Sequence, residues 1–360
     1  MSQQYKRIAV KIGSNVLTRK DGALDVTRMS ALVDQIAELR ENGVEVILIS
    51  SGAVASGRGE LKEAVSRKMD SVDQRQLFSA VGQAKLINRY YELFREHRLP
   101  VGQVLTMKES FSTRRHYLNQ RNCMMVMLEN GVIPIVNEND TVSVTELMFT
   151  DNDELSGLIA TMMDVQALII LSNVDGIYNG LPGEPGVEVI REVEPERDLQ
   201  EYIRTEKSGF GRGGMMTKCS IARKVADEGI EVIIANGKRD DVLTDLVLRP
   251  GSRVCTRFAP REGNVSSVKK WVAHSTGFTK GKVYLNAKAV EAGARAVSIL
   301  PVGVTHVEGD FEKGDLVRIM SPEGQNLGVG RVAYSCEEAA RVIGQHDCKP
   351  LVHYDYLYLE

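Results

Sequence analysis

Lysines, serines, carboxamides and carboxylates gather in a few short stretches of this 360-residue chain. Lys11-Ile12-Gly13-Ser14 pairs a cation with a small-residue turn. Gly13 and Ser14 would let backbone N–H groups approach a phosphate while Lys11 supplies positive charge. Ser50-Ser51-Gly52-Ala53 stands where a helix begins, and free N–H groups with a helix dipole favour an anion such as a carboxylate. Asn137-Glu138-Asn139-Asp140 and Asp151-Asn152-Asp153 group side chains that suit an α-amino group or the positioning of lysines. Arg212-Gly213-Gly214-Met215-Met216-Thr217-Lys218 joins a Gly-rich loop to a helix with Lys218 on its first turn, an arrangement that could hold β- and γ-phosphates.

Each stretch also has an ordinary structural explanation. A strand-end Lys is commonly solvated, a Ser-Gly turn caps a helix, Asn/Asp clusters build turns, and Gly-rich loops lie on surfaces. Taken together they suit phosphoryl transfer, which asks above all for positioning and charge neutralisation. Two lysines flanking the transferred group and an Asp to hold them would suffice. No histidine base is needed if the acceptor is a carboxylate, since a Glu-like group of pKa about 4.3 is already ionised at neutral pH. The six histidines are scattered without ligand spacing.

The elements that must carry these residues follow from hydrophobic periodicity. Arg7–Ile12, Val44–Ser50, Val101–Thr106, Val132–Val136, Ala167–Ser172 and Ile230–Ala235 read as strands. Asp25–Asn42, Gln74–His97, Thr113–Asn130, Asp151–Met163 and Met215–Glu228 read as helices between them. Sustained alternation predicts an α/β domain with a mostly parallel central sheet flanked by helices, whose ligands sit at the carboxyl ends of strands. After Pro260 the pattern changes. A polar linker over 261–274 leads to short, Gly-punctuated β-like segments, so a smaller β-rich domain is expected over 275–360 after a catalytic domain over 1–260.

Composition narrows the function classes. A net charge of −3, from 45 basic and 48 acidic residues, gives no reason to expect a polyanion or an anionic membrane as partner. Five scattered cysteines without zinc spacing are expected to be reduced, mostly buried thiols of a cytoplasmic protein. The polar start and the lack of a long apolar run argue against secretion and membrane insertion. Two pattern matches mislead. Gly52 to Gly57 has P-loop glycine spacing, but Arg58-Gly59 stands where Lys-Ser/Thr is required. Gly209 to Gly214 matches G-x-G-x-x-G, yet a charged segment rather than a buried strand precedes it.

The motifs Val10-Lys11-Ile12-Gly13-Ser14, Ser50-Ser51-Gly52-Ala53, Val136 to Asp140, Asp151 to Ser156, Val174-Asp175-Gly176-Ile177-Tyr178 and Gly213 to Lys218 together resemble the amino acid kinase family. The resemblance is strongest to its members that phosphorylate glutamate. The C-terminal part, with Ile299 to Val304 and Gly309 to Asp315, looks like a PUA domain. The resemblance implies transfer from ATP, with Mg2+, to the side-chain carboxylate of L-glutamate, the first step of proline biosynthesis. By matching position, it implies that Lys11 and Lys218 neutralise the transferring phosphoryl group and Asp153 orients both. Ser51, Gly52, Asn137, Asp140 and Asn152 would surround glutamate, with Asp151 nearby. Lys11, Gly13, Ser172, Asn173 and the segment Arg212, Gly213, Gly214, Met215, Met216, Thr217, Lys218 would contact ATP.

The same resemblance implies inhibition by proline, with 60–76 as a locus, assembly as dimers or tetramers, and transient contact with the next enzyme of the pathway. Asn173 stands where the family often has Asp, and Arg212 where it has a small residue. One competing reading is a kinase of another small acid, aspartate or N-acetylglutamate. Asn137 and Asp140 favour a free α-amino group over an acetylated one. Another is RNA binding through the PUA-like region, against which residues 275–360 carry 9 Lys/Arg and 11 Asp/Glu rather than a basic footprint.

Overall fold

A computed structural model describes residues 5–19, 21–61, 69–111, 113–142, 152–180, 184–195, 215–261, 272, 279–293, 298–346 and 348–359. By spatial clustering the chain divides into two compact units, 1–108 with 119–263, and 109–118 with 264–360.

The first unit is built on an eight-stranded sheet of order β3-β4-β2-β1-β5-β7-β8-β6. Its strands are β1 (Arg7–Ile12), β2 (Glu45–Ser50), β3 (Val101–Thr106), β4 (Ile133–Glu138), β5 (Ala167–Ser172), β6 (Glu192–Val193), β7 (Glu231–Asn236) and β8 (Thr256–Phe258). All neighbours run parallel except β8 against β7. The mostly parallel α/β architecture expected from the alternation is what the chain builds. The short β6 and β8 escape sequence reading, because two or three residues carry no measurable period.

Helices connect and cover the strands: α1 (Ser14–Leu17), α2 (Val26–Glu41), α3 (Ala53–Glu60), α4 (Ser71–Glu96), α5 (Arg114–Glu129), α6 (Asn152–Met162), α7 (Met215–Asp227) and α8 (Val242–Leu248). Asp25 caps α2 by accepting from the Arg28 N–H, and Asp70 caps α4 by accepting from Val72 and Asp73. That cap starts α4 three residues before the expected Gln74, so Arg75 lies within the helix.

Pleat alternation sorts the sheet's two faces. Ile8, Val10, Ile12, Val46, Leu48, Ile133, Ile135, Ile169 and Leu171 join one core with residues of α2, α4 and α8. Lys11 has the opposite parity, and α6 packs over β1 on that side. Register then aligns the strand ends. Ile12 pairs with Ser50 and Leu171, Ile49 with Val136, and Ser172 with Asn236. Lys11, Ser51, Asn137, Asn152 and Ser172 therefore meet at one edge of the sheet.

Two glycines fix how α3 sits. A Cβ on Gly57 would lie 1.8 Å from the Phe78 carbonyl oxygen, and one on Gly82 would lie 1.8 Å from that of Ala53. The α3 and α4 backbones touch there, so Gly57 serves helix packing rather than a phosphate loop.

The second unit is a five-stranded sheet of order β10-β9-β11-β12-β13. These strands are β9 (Gly281–Leu285), β10 (Val304–Gly309), β11 (Leu316–Met320), β12 (Asn326–Val332) and β13 (Val352–Leu359). Val283, Leu285, Phe311, Val317, Ile319 and Val352 form its core. The cysteines depart from expectation. All are free, but only Cys219 and Cys255 are buried, while Cys336 and Cys348 are intermediate and Cys123 is exposed. Cys123 falls on an exposed position of α5, Cys336 opens the short helix Cys336–Val342, and Cys348 lies outside any helix.

Candidate active site

At the carboxyl edge of the first sheet lies a cavity of about 410 Å³. Lys11, Gly13, Ser51, Gly52, Asn137, Asp140, Asn152, Asp153, Ser172 and Lys218 all line it. Residues spread over more than two hundred positions of the chain are thus brought to one pocket. Asp151, Arg212, Gly213 and Gly214 lie outside the described residues. Asn173, Met215, Met216 and Thr217 are described and do not line the cavity; Asn173 is exposed and Met216 is 62% exposed. On α7 it is Lys218 that enters the pocket, and Met216 faces elsewhere.

Asp153 is the centre of the charged end. Its Oδ1 lies 2.5 Å from the Lys11 Nζ, and its Oδ2 lies 3.0 Å from the Lys218 Nζ. The Asp153 side chain is 1% exposed, so both ammonium groups meet it away from bulk water. Burial alone raises a carboxyl pKa, but here the two lysines outweigh it and hold Asp153 below its usual range. Close helix packing brings Lys218 into place. Gly157 on α6 leaves room for Ile221 and Val225 of α7, whose methyl groups would stand 2.9 and 3.1 Å from an added Cβ.

The Lys11 turn differs from the sequence expectation in one respect. The Gly13 N–H donates to the Leu171 carbonyl at 3.0 Å, so it is committed to the sheet. The first N–H groups of a helix have no intrahelical partner, which leaves those of Ser14 and Asn15 at the cavity wall. A Cβ at Gly13 would come within 3.1 Å of the Leu171 oxygen, so the glycine serves close approach of two backbones. Gly52, at φ 104°, occupies the left-handed region and turns the chain from β2 into α3. Gly52, not a serine, is the N-cap of α3, and Ser51 is left lining the cavity.

A chain of amides runs along the next wall. Gln83 Oε1 accepts from Asn137 Nδ2 at 2.7 Å. Asn137 Oδ1 accepts from the Glu138 N–H at 2.9 Å and from Asn152 Nδ2 at 3.1 Å. Asn152 Nδ2 also donates to Ser51 Oγ at 2.9 Å. With its oxygen accepting, the Ser51 hydroxyl can turn its own proton toward a ligand acceptor. Sequence reading missed Gln83, which sits within an ordinary amphipathic helix.

It also missed Arg75. The Arg75 Nε donates to Asp140 Oδ1 at 2.7 Å and its Nη2 donates to Glu138 Oε2 at 3.0 Å. Glu138 and Asp140 are 3% and 7% exposed, so the guanidinium offsets part of a charge that water reaches little. The only sequence signal was an Arg among the polar residues of 60–76. On the Ser172 side, Asp175 accepts from Asn236 at 3.1 Å and from Arg239 at 2.9 and 3.0 Å. The Arg239 guanidinium holds Asp175 below the usual carboxylate range and ties the turn after β5 to the turn after β7.

Comparisons with known proteins agree with this geometry. The model of the amino acid kinase family matches residues 6–236, and that of the PUA domain matches residues 281–354. The chain is 69% identical to glutamate 5-kinase of Bacteroides thetaiotaomicron, covering 100% of each. It is 47% identical to glutamate 5-kinase of Chlorobaculum tepidum, covering 99% of this chain and 98% of that one. UMP kinase from Bacillus anthracis shares the fold, with a TM-score of 0.50 and 17% identity over 72% of this chain and 97% of that one. A parallel sheet whose strand ends converge on two lysines and one aspartate, together with matches that span the chain, places this protein in the amino acid kinase family, on the branch of the glutamate 5-kinases.

Proposed function

We propose that this protein transfers the γ-phosphoryl group of ATP to the side-chain carboxylate of L-glutamate, giving L-glutamyl 5-phosphate and ADP. The observation that carries the reading is the Lys11–Asp153–Lys218 arrangement at the strand edge. In the step, a glutamate carboxylate oxygen forms a bond to the γ-phosphorus while the bond from that phosphorus to the β–γ bridging oxygen breaks. The bridging oxygen leaves with ADP. No proton has to be removed from the acceptor, and among the described residues that line the pocket there is no histidine. Lys11 and Lys218 neutralise charge on the equatorial oxygens, and Asp153 keeps the two ammonium groups in register.

Ser51, Gly52, Asn137, Asp140 and Asn152, with Asp151, are assigned to glutamate. Gly13, Ser172, Asn173 and the 212–218 segment, with both lysines, are assigned to ATP. Mg2+ is assigned to the nucleotide's phosphates, where it supplies further charge neutralisation when bound. Among the described residues no three His, Cys, Asp or Glu side chains are grouped to hold a metal, and Mg2+ is commonly held largely by substrate phosphates and water.

A hydroxamate-trapping assay with glutamate, aspartate and N-acetylglutamate tests the substrate. Glutamate alone should give strong signal, and silence with glutamate would sink the reading. The catalytic role is assigned to residues 1–260, and 275–360 are assigned as the PUA-like domain. Cytoplasmic location, assembly as a dimer or tetramer and transient contact with the enzyme that consumes the acyl phosphate extend the same proposal. Among the described residues no helix is long and apolar enough to cross a membrane. Feedback inhibition by proline is supported by the family likeness and by Arg75, from the 60–76 stretch, lining the pocket. Activity unchanged at millimolar proline would remove it.

A further inference from the structure

Arg75 lies on the second turn of α4, and its guanidinium bridges both acidic side chains at the end of β4. Glu138 and Asp140 are two residues apart, so their side chains leave the chain on the same side where the backbone is extended. Two nearly buried carboxylates so placed repel one another, and a guanidinium fork is the side chain best shaped to hold such a pair. The hold extends along α4. Ser79, one turn beyond Arg75, lies 3.4 Å from Asp140 Oδ2 and donates to it, while Arg75 Nε occupies Oδ1. Both Asp140 oxygens are therefore aimed from α4, and the remaining lone pairs face only where those bonds permit.

Formal charge sharpens the point. Glu138, Asp140 and Arg75 together carry one negative charge, which a single ammonium group would balance. Without Arg75 the same wall would carry two.

We propose that Arg75 is a specificity-determining positioning residue. By clamping Glu138 and Asp140, it fixes the direction and net charge of the wall that receives the substrate's α-ammonium, and so separates an amino diacid from its des-amino analogue. This rests on the reading that glutamate is the substrate. Arg75 acts through Asp140 rather than on the transferred phosphoryl group, which is why its loss should touch one substrate selectively.

The test is steady-state kinetics of the full chain with glutamate and with glutarate, which has both carboxylates and no amine. Wild type that fails to phosphorylate glutamate would refute the underlying function, independently of Arg75. Given that activity, Arg75→Gln should raise the glutamate KM about tenfold or more, the range for a broken buried charge pair. The kcat and the ATP KM should stay within about threefold, and the glutamate-to-glutarate efficiency ratio should fall about tenfold. Arg75→Lys should recover part of the ratio, since it restores charge but not the fork. Should Arg75→Gln fail to fold, as judged by thermal unfolding, Ser79→Ala releases the other Asp140 oxygen and should lower the ratio about threefold. A ratio that does not move, whether both substrates suffer equally or neither does, overturns the proposal.

Discussion

Lys218 stands 3.0 Å from the Asp153 carboxylate, an ion pair between the first turns of two helices sixty-five positions apart in sequence. Lys11 reaches the other oxygen of the same carboxylate from a strand. In the proposed transfer, the buried Asp153 has no role of its own in bond making. There it would hold two mutually repelling cations where a phosphoryl group needs both.

Removing either lysine should therefore cost chemistry more than binding. Lys11→Ala and Lys218→Ala should each lower kcat about 10²–10³-fold, the usual cost of one preorganised charge-stabilising donor, with the glutamate KM changed far less. Initial-rate kinetics at saturating ATP would check it, and losses under about threefold would disprove the two-lysine assignment.

Asp153→Asn should lower kcat by a similar factor and also lower stability by about 3–5 kcal/mol, because it leaves one buried and one largely buried ammonium group facing an amide. Urea denaturation should show the stability loss as a lower midpoint at unchanged slope.

The pH dependence of that difference has a definite sign. Asp153 is held below its usual value of 3.8, so its contribution is fully present above that value and is lost as pH falls through the lower folded value. The gap between wild type and Asp153→Asn should be flat from about pH 8 to 5 and should narrow only on further acidification below the ordinary carboxylate range. A gap that closes near neutrality would contradict the low folded value.

The amide wall predicts a subtler effect. Gln83→Leu leaves Asn137 Nδ2 without its 2.7 Å partner and frees the Asn137 amide to rotate. The glutamate KM should rise about five- to tenfold, equivalent to one buried hydrogen bond, while the ATP KM stays near wild type.

Helix packing offers a control pair on one element. Gly57→Ala places a methyl 1.8 Å from the Phe78 oxygen and should destabilise by about 3 kcal/mol or prevent folding. Gly59→Ala, on the same helix, meets nothing closer than 4.0 Å and should be neutral or stabilising by about 0.5–1 kcal/mol. Differential scanning calorimetry of the two variants would separate a packing role for Gly57 from a generic glycine effect.

The sequence by itself determined the parallel α/β scaffold, because strands buried on both faces must read as continuous runs such as Val46 to Ile49, and amphipathic helices must carry a 3.6-residue stripe. It also determined Lys11, Ser51, Asn137, Asp140, Asn152, Asp153 and Lys218 as candidates, since strand ends and helix starts are local features. Tertiary structure decided the rest. Arg75 and Gln83 lie inside a helix whose sequence looks like any amphipathic helix, and only the folded chain brings Arg75 to the cavity lining and Gln83 to the amide of Asn137. The Gly13 amide was open to a phosphate on sequence grounds, yet the neighbouring strand β5 claims it. Gly57 matched a phosphate-loop spacing, and only the approach of α4 shows it to be a contact between backbones. In each case the deciding partner lies on another element, and no local pattern encodes which distant group will arrive within bonding distance.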